Sequence, residues 1–477
     1  MLRRVRLFAV FAIGWLVGLS VAAVDGAEPA KSWQAGVARA NVTPKKLMWL
    51  SGYGGRDRPA EGKLADLWAK ALVVRDPDGG MATIVTMDLI GIDRALSQRV
   101  CGAIGKQLGI DRARIALCTS HTHTGPVVGE NLRLMYFYDA TQQALIREYA
   151  ADLERELVAV AVEAAGKLVP ATLRWGHGKA EFAVNRRNNP EAQAPELRAQ
   201  GKLRGPVDHD APVLAVYGSE MESAPLAVLF GYACHATVLA SYEWSGDWPG
   251  FAQEEIERRV PGTTAMFVAG CGGDQNPLPR RSVELAKKYG GEMADAVLAV
   301  VGNDGRGAAM EPLAGPLECA YREIELPLAK APMRDELQQT AASSNRIDAA
   351  CAKHLLAQLD RGEKIAATYP YPIQTWRFHS AADKANDASS PAAATIVILG
   401  GEVVVDYALS IKAELPNQRV WVAAYANDVM AYIPSRRILQ EGGYEGIGAQ
   451  SEYGFLSPWS PDAEQHILDE VKRQAGK

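Results

Sequence analysis

Residues 115–129 read IALCTSHTHTGPVVG, an apolar run that opens through Ser120 into His121-x-His123 and then a Gly-Pro turn. In an extended segment, side chains two positions apart share a face, so this spacing aims both imidazoles the same way from a strand end. Neutral imidazole ligates zinc and its first-row neighbours and carries protons near neutral pH, and flanking hydroxyls can orient it. The competing reading is a pair of histidines in a polar loop. The choice between them depends on what the rest of the chain brings to the same place.

Upstream, 35–43 alternates as a strand and 50–62 (LSGYGGRDRPAEG) breaks into a glycine-rich loop. Apolar runs at 64–74 and 81–87 flank Asp76-Pro77-Asp78-Gly79-Gly80, a hairpin that ends at Asp88, read as a supporting or capping acid. A helix over 95–108 leads into the strand at 114–117. Downstream, 142–167 is a long helix whose Leu145, Tyr149, Leu153, Leu157 and Val160 recur at helical spacing and mark a core stripe. A strand at 171–176 precedes the loop 183–190 (AVNRRNNP), where Arg186 and Arg187 read first as solvated and second as holding a carbonyl or anion.

Strands at 212–217 and 225–233 end in Cys234-His235-Ala236-Thr237, a third histidine at the mouth of an apolar run. Asp247 stands where an N-cap would precede a helix over 251–259. The strand 263–269 empties into GCGGDQNP at 270–277, whose glycines would leave backbone amides open to a ligand; the Gly-Lys-Ser/Thr ending of a phosphate loop is absent. One helix is expected over 333–359, with Ile347, Cys351, Leu355 and Leu359 on its stripe. A short strand at 374–378, a polar loop at 380–390 and a strand at 395–399 follow, the last ending in Gly400-Gly401 with Glu402 opening a helix. A final strand at 420–425 leads to Asn427-Asp428, Tyr432 and Tyr444. No repeat or low-complexity linker divides the chain. The pattern predicts mixed α/β: a single large domain of packed mixed β-sheets surrounded by helices, with the candidate site at strand ends.

The chain has 477 residues and a formal charge of -5. Residues 1–30 combine a basic start, an uncharged apolar run over 7–24 and small residues at Ala22 and Ala23, as in a secretory signal peptide; the alternative is an uncleaved membrane anchor. Losing Arg3, Arg4, Arg6 and Asp25 with residues 1–27 leaves 48 basic against 55 acidic residues, a net of -7. Such a chain has no general attraction for nucleic acid or anionic lipid. The expected location is secreted or periplasmic, with 1–27 as the signal. Six scattered cysteines without a CxxC pair exclude a zinc ribbon and leave one or two disulfides open. Oligomeric state is not legible.

His121, His123, His235, Glu402 and a tyrosine pair therefore all lie where apolar strands open into polar turns. Two imidazoles with a carboxylate form a known catalytic zinc set. At Ser120-His-Thr-His-Thr-Gly-Pro126 the sequence resembles the neutral/alkaline non-lysosomal ceramidase family. The resemblance extends from about 36 to 454, through Gly52-Tyr53-Gly54, Asn185-Arg186, Asn189-Pro190, His235-Ala-Thr, Gly273-Asp274, Gly401-Glu402, and Tyr432 followed twelve residues later by Tyr444. It implies zinc on His121, His235, Glu402 and Tyr432, with His123, Arg186 and Tyr444 around a scissile amide. The family's nucleophilic serine would fall at Asn276, whose carboxamide can hydrogen-bond but cannot act as that hydroxyl. Cys271 is a weaker substitute nucleophile, lacking an evident base.

The resemblance takes 33–477 as a catalytic domain without the C-terminal sandwich domain of full-length relatives. It implies a zinc-dependent amidohydrolase acting on a small-molecule or lipid-like N-acyl substrate, with contact with a membrane surface left open, and zinc-bound hydroxide as the attacking group. The alternatives are a zinc hydrolase of a different ester, glycan or peptide-type substrate, and a non-catalytic metal- or ligand-binding homologue.

Overall fold

The computed structural model describes residues 32–218, 224–302, 310–380, 393–416 and 419–476. The expected signal segment and most of the expected polar loop at 380–390 lie outside them.

Among the described residues, twelve strands hydrogen-bond into one mixed sheet. In one half, Trp33–Asn41, Trp68–Arg75 and Met81–Met87 pair antiparallel, and Ile115–Thr119 is added parallel. Val169–Lys179 joins this half to the other, which branches. One branch carries Asp210–Tyr217, Ala227–Tyr232 and Thr264–Ala269. The second carries Glu311–Pro327, Thr368–Ser380, Ala394–Leu399 and Arg419–Ala423.

The period-2 alternation of the strands makes the layers. Leu72, Val74 and Ile84 from one half share a buried cluster with Leu229, Met266, Val268, Ile396 and Ile398 from the other, so the halves face each other. The alternate residues Ala71, Val73 and Val85 turn outward onto Val100 of helix Arg94–Leu108 and Leu153 and Leu157 of helix Ala140–Gly166. On the opposite side Phe230, Phe267 and Val422 meet Ala252, Met293, Ala408 and Ile467, from helices Asp247–Arg259, Val283–Val301, Val405–Glu414 and Ala463–Gln474. The order is helix, sheet, sheet, helix. Each large apolar side chain fully buried in these layers contributes about 1.5–3 kcal/mol.

Within this sheet, among the described residues, three strand pairs are parallel: Met81–Met87 with Ile115–Thr119, Ala227–Tyr232 with Thr264–Ala269, and Ala394–Leu399 with Arg419–Ala423. Bridges from Cys118 to Ala426 and from Gly270 to Ala423 draw their carboxyl ends together. Ligand sites in α/β sheets favour such a crevice.

The structure corrects several local expectations. The helix expected over 333–359 is two, Arg334–Ala341 and Arg346–Asp360; the first ends at its C-cap Ala342, and Asn345 caps the second by accepting from the amides of Ile347 and Asp348. Glu402 does not open a helix. It lies in the two-residue strand Glu402–Val403, paired with Tyr432–Ile433, and the helix begins at Val405. Asp247 is the first residue of its helix rather than the cap, at φ 56°. Its carboxylate accepts from the amides of Val238 (3.3 Å), Leu239 (2.8 Å) and Trp248 (2.6 Å), fixing the segment that follows His235. The strand expected at 374–378 extends over Thr368–Ser380, lengthened by pairing with Glu311–Pro327. All six cysteines are free thiols.

Candidate metal centre and active site

Strand Ile115–Thr119 is wholly buried and ends where the Thr119 amide donates to the Tyr425 carbonyl. The chain then turns at His121, at φ 59°, so the two imidazoles do not project from an extended segment as their spacing suggested. The left-handed conformation of a non-glycine residue costs roughly 1–2 kcal/mol. Asp247, Tyr425 and Asn427 share it, at φ 56°, 53° and 63°. Such strain gathers where surrounding structure over-determines a site. A bridge between Thr122 and Ala236, with the His123 amide donating to the Ala236 carbonyl (3.2 Å), sets the His121-x-His123 turn beside His235. The His121 ring lies 4.9 Å from each of the other two imidazoles.

Hydrogen bonds fix the tautomers. Nδ1 of His121 meets the Ile90 carbonyl at 2.6 Å, and Nδ1 of His235 meets the Gly272 carbonyl at 2.6 Å. A carbonyl can only accept, so both Nδ1 atoms carry the hydrogen, and in the neutral imidazoles it is the Nε2 atoms that present lone pairs. Each Nε2 lies 3.1 Å from Oε2 of Glu402. His121, His235 and Glu402 are 1%, 1% and 3% exposed, so in that neutral form no bulk solvent relieves three acceptors facing one another. Tyr432, opposite Glu402 in the strand register, brings its hydroxyl to 3.4 Å from His235 Nε2. This donor set fits a divalent cation, the group that satisfies converging lone pairs. His121, His123 and His235 also form a buried cluster whose candidate ligand atoms lie within 4.8 Å of one another.

Burial and the nearby Arg186 guanidinium push His235 down to about 4. Burial, with His121 and His235, holds His123 well below its usual value. Burial works against ionisation of Glu402, but His121 and His235 outweigh it and hold the carboxyl well below the usual range. Burial and the Glu402 charge raise the Tyr432 phenol.

Arg186 spans the rim. Its Nε donates to Glu445 (2.7 Å), one terminal nitrogen to the Tyr432 hydroxyl (3.1 Å) and the other to Oδ1 of Asn276 (3.4 Å). Burial opposes its charge, but Tyr432 and Glu445 raise its pKa well above the ordinary value. The Tyr444 ring lies 5.4 Å from that of Tyr432 and 5.5 Å from the Arg186 guanidinium carbon. Asn276 sits in Gln275–Pro277, paired with Ala183–Asn185, and also accepts from Thr237 (3.4 Å). The eight residues singled out in the sequence thus come to one place. Cys271 is fully buried, and burial raises its thiol well above the ordinary value, which suits a core residue and not a nucleophile.

The glycines at 270–273 serve a different end from the one expected. The Gly273 amide donates to the Val403 carbonyl (2.9 Å), and a Cβ there would lie 2.7 Å from the Glu402 carbonyl oxygen. They let two strand ends close on each other. Gly52, at φ 99°, is needed because a Cβ would meet the His123 ring at 2.5 Å.

Sequence reasoning missed several supports. Tyr453 donates to Oε1 of Glu402. The Tyr425 ring lies 4.3 Å from His121, and Tyr53 packs 4.8 Å from His123. Arg56, buried, donates to the carbonyls of His123 (2.8 Å) and Ser241 (3.0 Å). Asp274 accepts from the Asn185 carboxamide (2.8 Å) and the Val405 amide (3.0 Å), tying together the segments that carry Arg186 and Glu402. These roles depend on contacts far apart in the chain, and no local pattern marks them.

The profile of the neutral/alkaline non-lysosomal ceramidase N-terminal region matches residues 33–295. The chain belongs to this family. Among solved structures it is similar to a ceramidase complexed with C2, at 18% identity and TM-score 0.67, over 93% of this chain and 75% of that one. It is likewise similar to the neutral ceramidase from Pseudomonas aeruginosa, at 19% identity and TM-score 0.65, over 93% and 74%. These likenesses establish the ceramidase fold for the chain. Glu402, Tyr432 and Tyr444 lie beyond the matched residues 33–295, as does the supporting Tyr453, so three of the eight site residues come from outside the family profile.

Proposed function

We propose that this ceramidase-family chain is a zinc-dependent hydrolase of the amide bond in an N-acylated substrate. The observation that carries the reading is the convergence of two imidazole lone pairs and a carboxylate oxygen at 3.1 Å, with both Nδ1 hydrogens already committed to backbone carbonyls. His121, His235, Glu402 and Tyr432 would hold the zinc, which when bound supplies Lewis-acid polarisation of the acyl carbonyl and lowers the pKa of an attacking water. His123, neutral and with neither ring nitrogen partnered, takes the proton from that water as it adds to the carbonyl carbon. It returns the proton to the leaving nitrogen as the C–N bond breaks. Arg186 and Tyr444 stabilise the negative charge on the carbonyl oxygen. Asn276 offers its carboxamide to the substrate as a hydrogen-bonding group.

Purified chain should contain zinc and cleave N-acyl substrates, and a His121→Ala, His235→Ala double variant should lose both properties. Full hydrolysis by the double variant, or by protein that contains no metal, contradicts the reading. N-acyl sphingoid lipids assayed against acylated sugars and acylated amino acids would define the substrate. The ceramidase solved with C2 makes a lipid-like amide the first to try.

Asn276 favours a second reading: a different ester, glycan or peptide-type substrate, or a homologue that binds metal or ligand without catalysis. That reading predicts stoichiometric zinc without turnover of N-acyl lipids, and a gain of ceramide cleavage in Asn276→Ser would argue against it. We also take 33–477 as the catalytic unit and 1–27 as a signal for secretion or the periplasm. N-terminal sequencing of the exported protein separates cleavage from anchoring.

A further inference from the structure

The short 3-10 turn Gln450–Tyr453 reaches the site with two consecutive side chains. Tyr453 donates to Oε1 of Glu402, and Glu452 Oε2 accepts from the Tyr444 hydroxyl at 3.0 Å. The turn is anchored from behind, where the Ser451 hydroxyl donates to Asp348 of helix Arg346–Asp360 at 2.6 Å. Tyr444 itself is 44% exposed, with the Arg186 guanidinium over its ring. It therefore borders both the site and its opening.

Glu452 is half-buried. The titratable and charged groups that bear on it are Tyr444, Arg186 and Glu402 on the site side, Asp348 from the helix behind, and Tyr136 from the segment after Arg133–Met135. Burial, reinforced by Glu402 and Asp348, pushes its carboxyl up to about 7, against the opposing pull of Tyr444 and Arg186. A phenol has a single hydrogen to give. An ionised carboxylate can only accept, so it takes that hydrogen, whereas a neutral carboxyl can donate to the phenol oxygen and leave the hydrogen for another acceptor.

We propose that Glu452 is a positioning residue that sets the direction in which the Tyr444 hydroxyl donates, and so decides whether Tyr444 can stabilise negative charge on a substrate carbonyl oxygen. The proposal rests on the reading above that Tyr444 faces the acyl carbonyl. Its pH sign is fixed. Below about 7 the neutral Glu452 frees Tyr444 to donate into the site, and above it the carboxylate holds the hydrogen back. The turnover number should carry a falling limb through that pH.

The test uses the zinc-loaded full chain, with kcat and KM for a cleaved N-acyl substrate measured from acid to alkaline pH. A carboxamide at 452 can donate to the phenol oxygen at every pH, so Glu452→Gln should remove the limb and leave KM near the parent value. Tyr444→Phe should lower kcat on the acid side by roughly 10- to 100-fold and also lack the limb. A Glu452→Gln profile that keeps the limb overturns the proposal. Parent-like kcat in Tyr444→Phe overturns the reading beneath it. A readout without turnover is the ionisation of the Tyr444 phenol, taken as the ultraviolet difference between parent and Tyr444→Phe. In Glu452→Gln the phenol should ionise at lower pH, and an unmoved titration contradicts the proposal.

Discussion

Glu402 and Asp428 are equally buried, each 3% exposed, and the Gly401 amide donates to the Asp428 carbonyl (2.8 Å), so they stand in one small region. Their carboxyls are nevertheless driven in opposite directions. Burial acts against ionisation of both. At Glu402 the neighbouring His121 and His235 overcome it and hold the carboxyl well below the usual range. At Asp428 burial prevails, helped by Asp93 and Glu323 against Tyr369 and Arg94, and the carboxyl rises to about 7. Asp428 has a hydroxyl donor, from Tyr369 at 2.7 Å. The Oε2 atom of Glu402 faces two imidazole lone pairs. Glu402 too accepts a hydroxyl, from Tyr453 at Oε1, but its Oε2 is turned to the two imidazoles, where the proposed cation would sit. Burial alone does not separate a structural acid from a metal ligand; the hydrogen-bonding character of its neighbours does.

Glu402→Gln should break this contrast most strongly. Removing the charge should lower zinc affinity by at least ~100-fold and hydrolysis by about 1,000-fold, read by metal analysis and by turnover of an N-acyl substrate. The same change gives one imidazole lone pair an N–H donor, so the zinc-stripped variant should be more stable than the stripped parent by about 1 kcal/mol in urea.

Tyr453→Phe sharpens the contrast at one remove. It deletes the hydroxyl that orients Glu402 and should weaken zinc binding about 10-fold to 100-fold with the fold intact, measured by competition with a chromogenic chelator. Asp428→Asn tests the other side. The folded carboxyl titrates at about 7 and an unfolded aspartate at about 3.9, so the neutral group's contribution is complete below the unfolded value and is lost as pH rises towards 7. Urea unfolding at acid and at mildly alkaline pH should show the parent losing roughly 1–3 kcal/mol across that window. Asp428→Asn should flatten this dependence, and an unchanged slope would assign it to other groups.

Much of the architecture was legible because strand ends carry strong local signals. The apolar runs before His121, His235 and Glu402 gave strand identity, and their terminal polar residues marked one rim. The pattern failed where an element is defined by a distant partner. Glu402 reads as a helix opener until its pairing with Tyr432 is seen, and Asp247 reads as a cap until the amides of Val238 and Leu239 are found on its carboxylate. The expected helix over 333–359 failed for a local reason, since Asn345 offers the backbone a cap that competes with helix continuation. His121-x-His123 pointed to the right place through the wrong geometry, because the turn at His121 is imposed by contacts with Leu89, Tyr425 and Ala236. Tyr453 and Arg56 carried no signal at all, since their roles exist only across the folded chain.

The central claim is a preformed cation site in which the imidazole Nε2 atoms already present lone pairs. Calorimetric titration of zinc into the chelator-stripped full chain at neutral pH, repeated in buffers of different ionisation enthalpy, counts both metal and protons. The account predicts one zinc per chain with no protons released from His235 or Glu402, and at most one proton in all. No saturable zinc binding, or release of two or more protons, would contradict it.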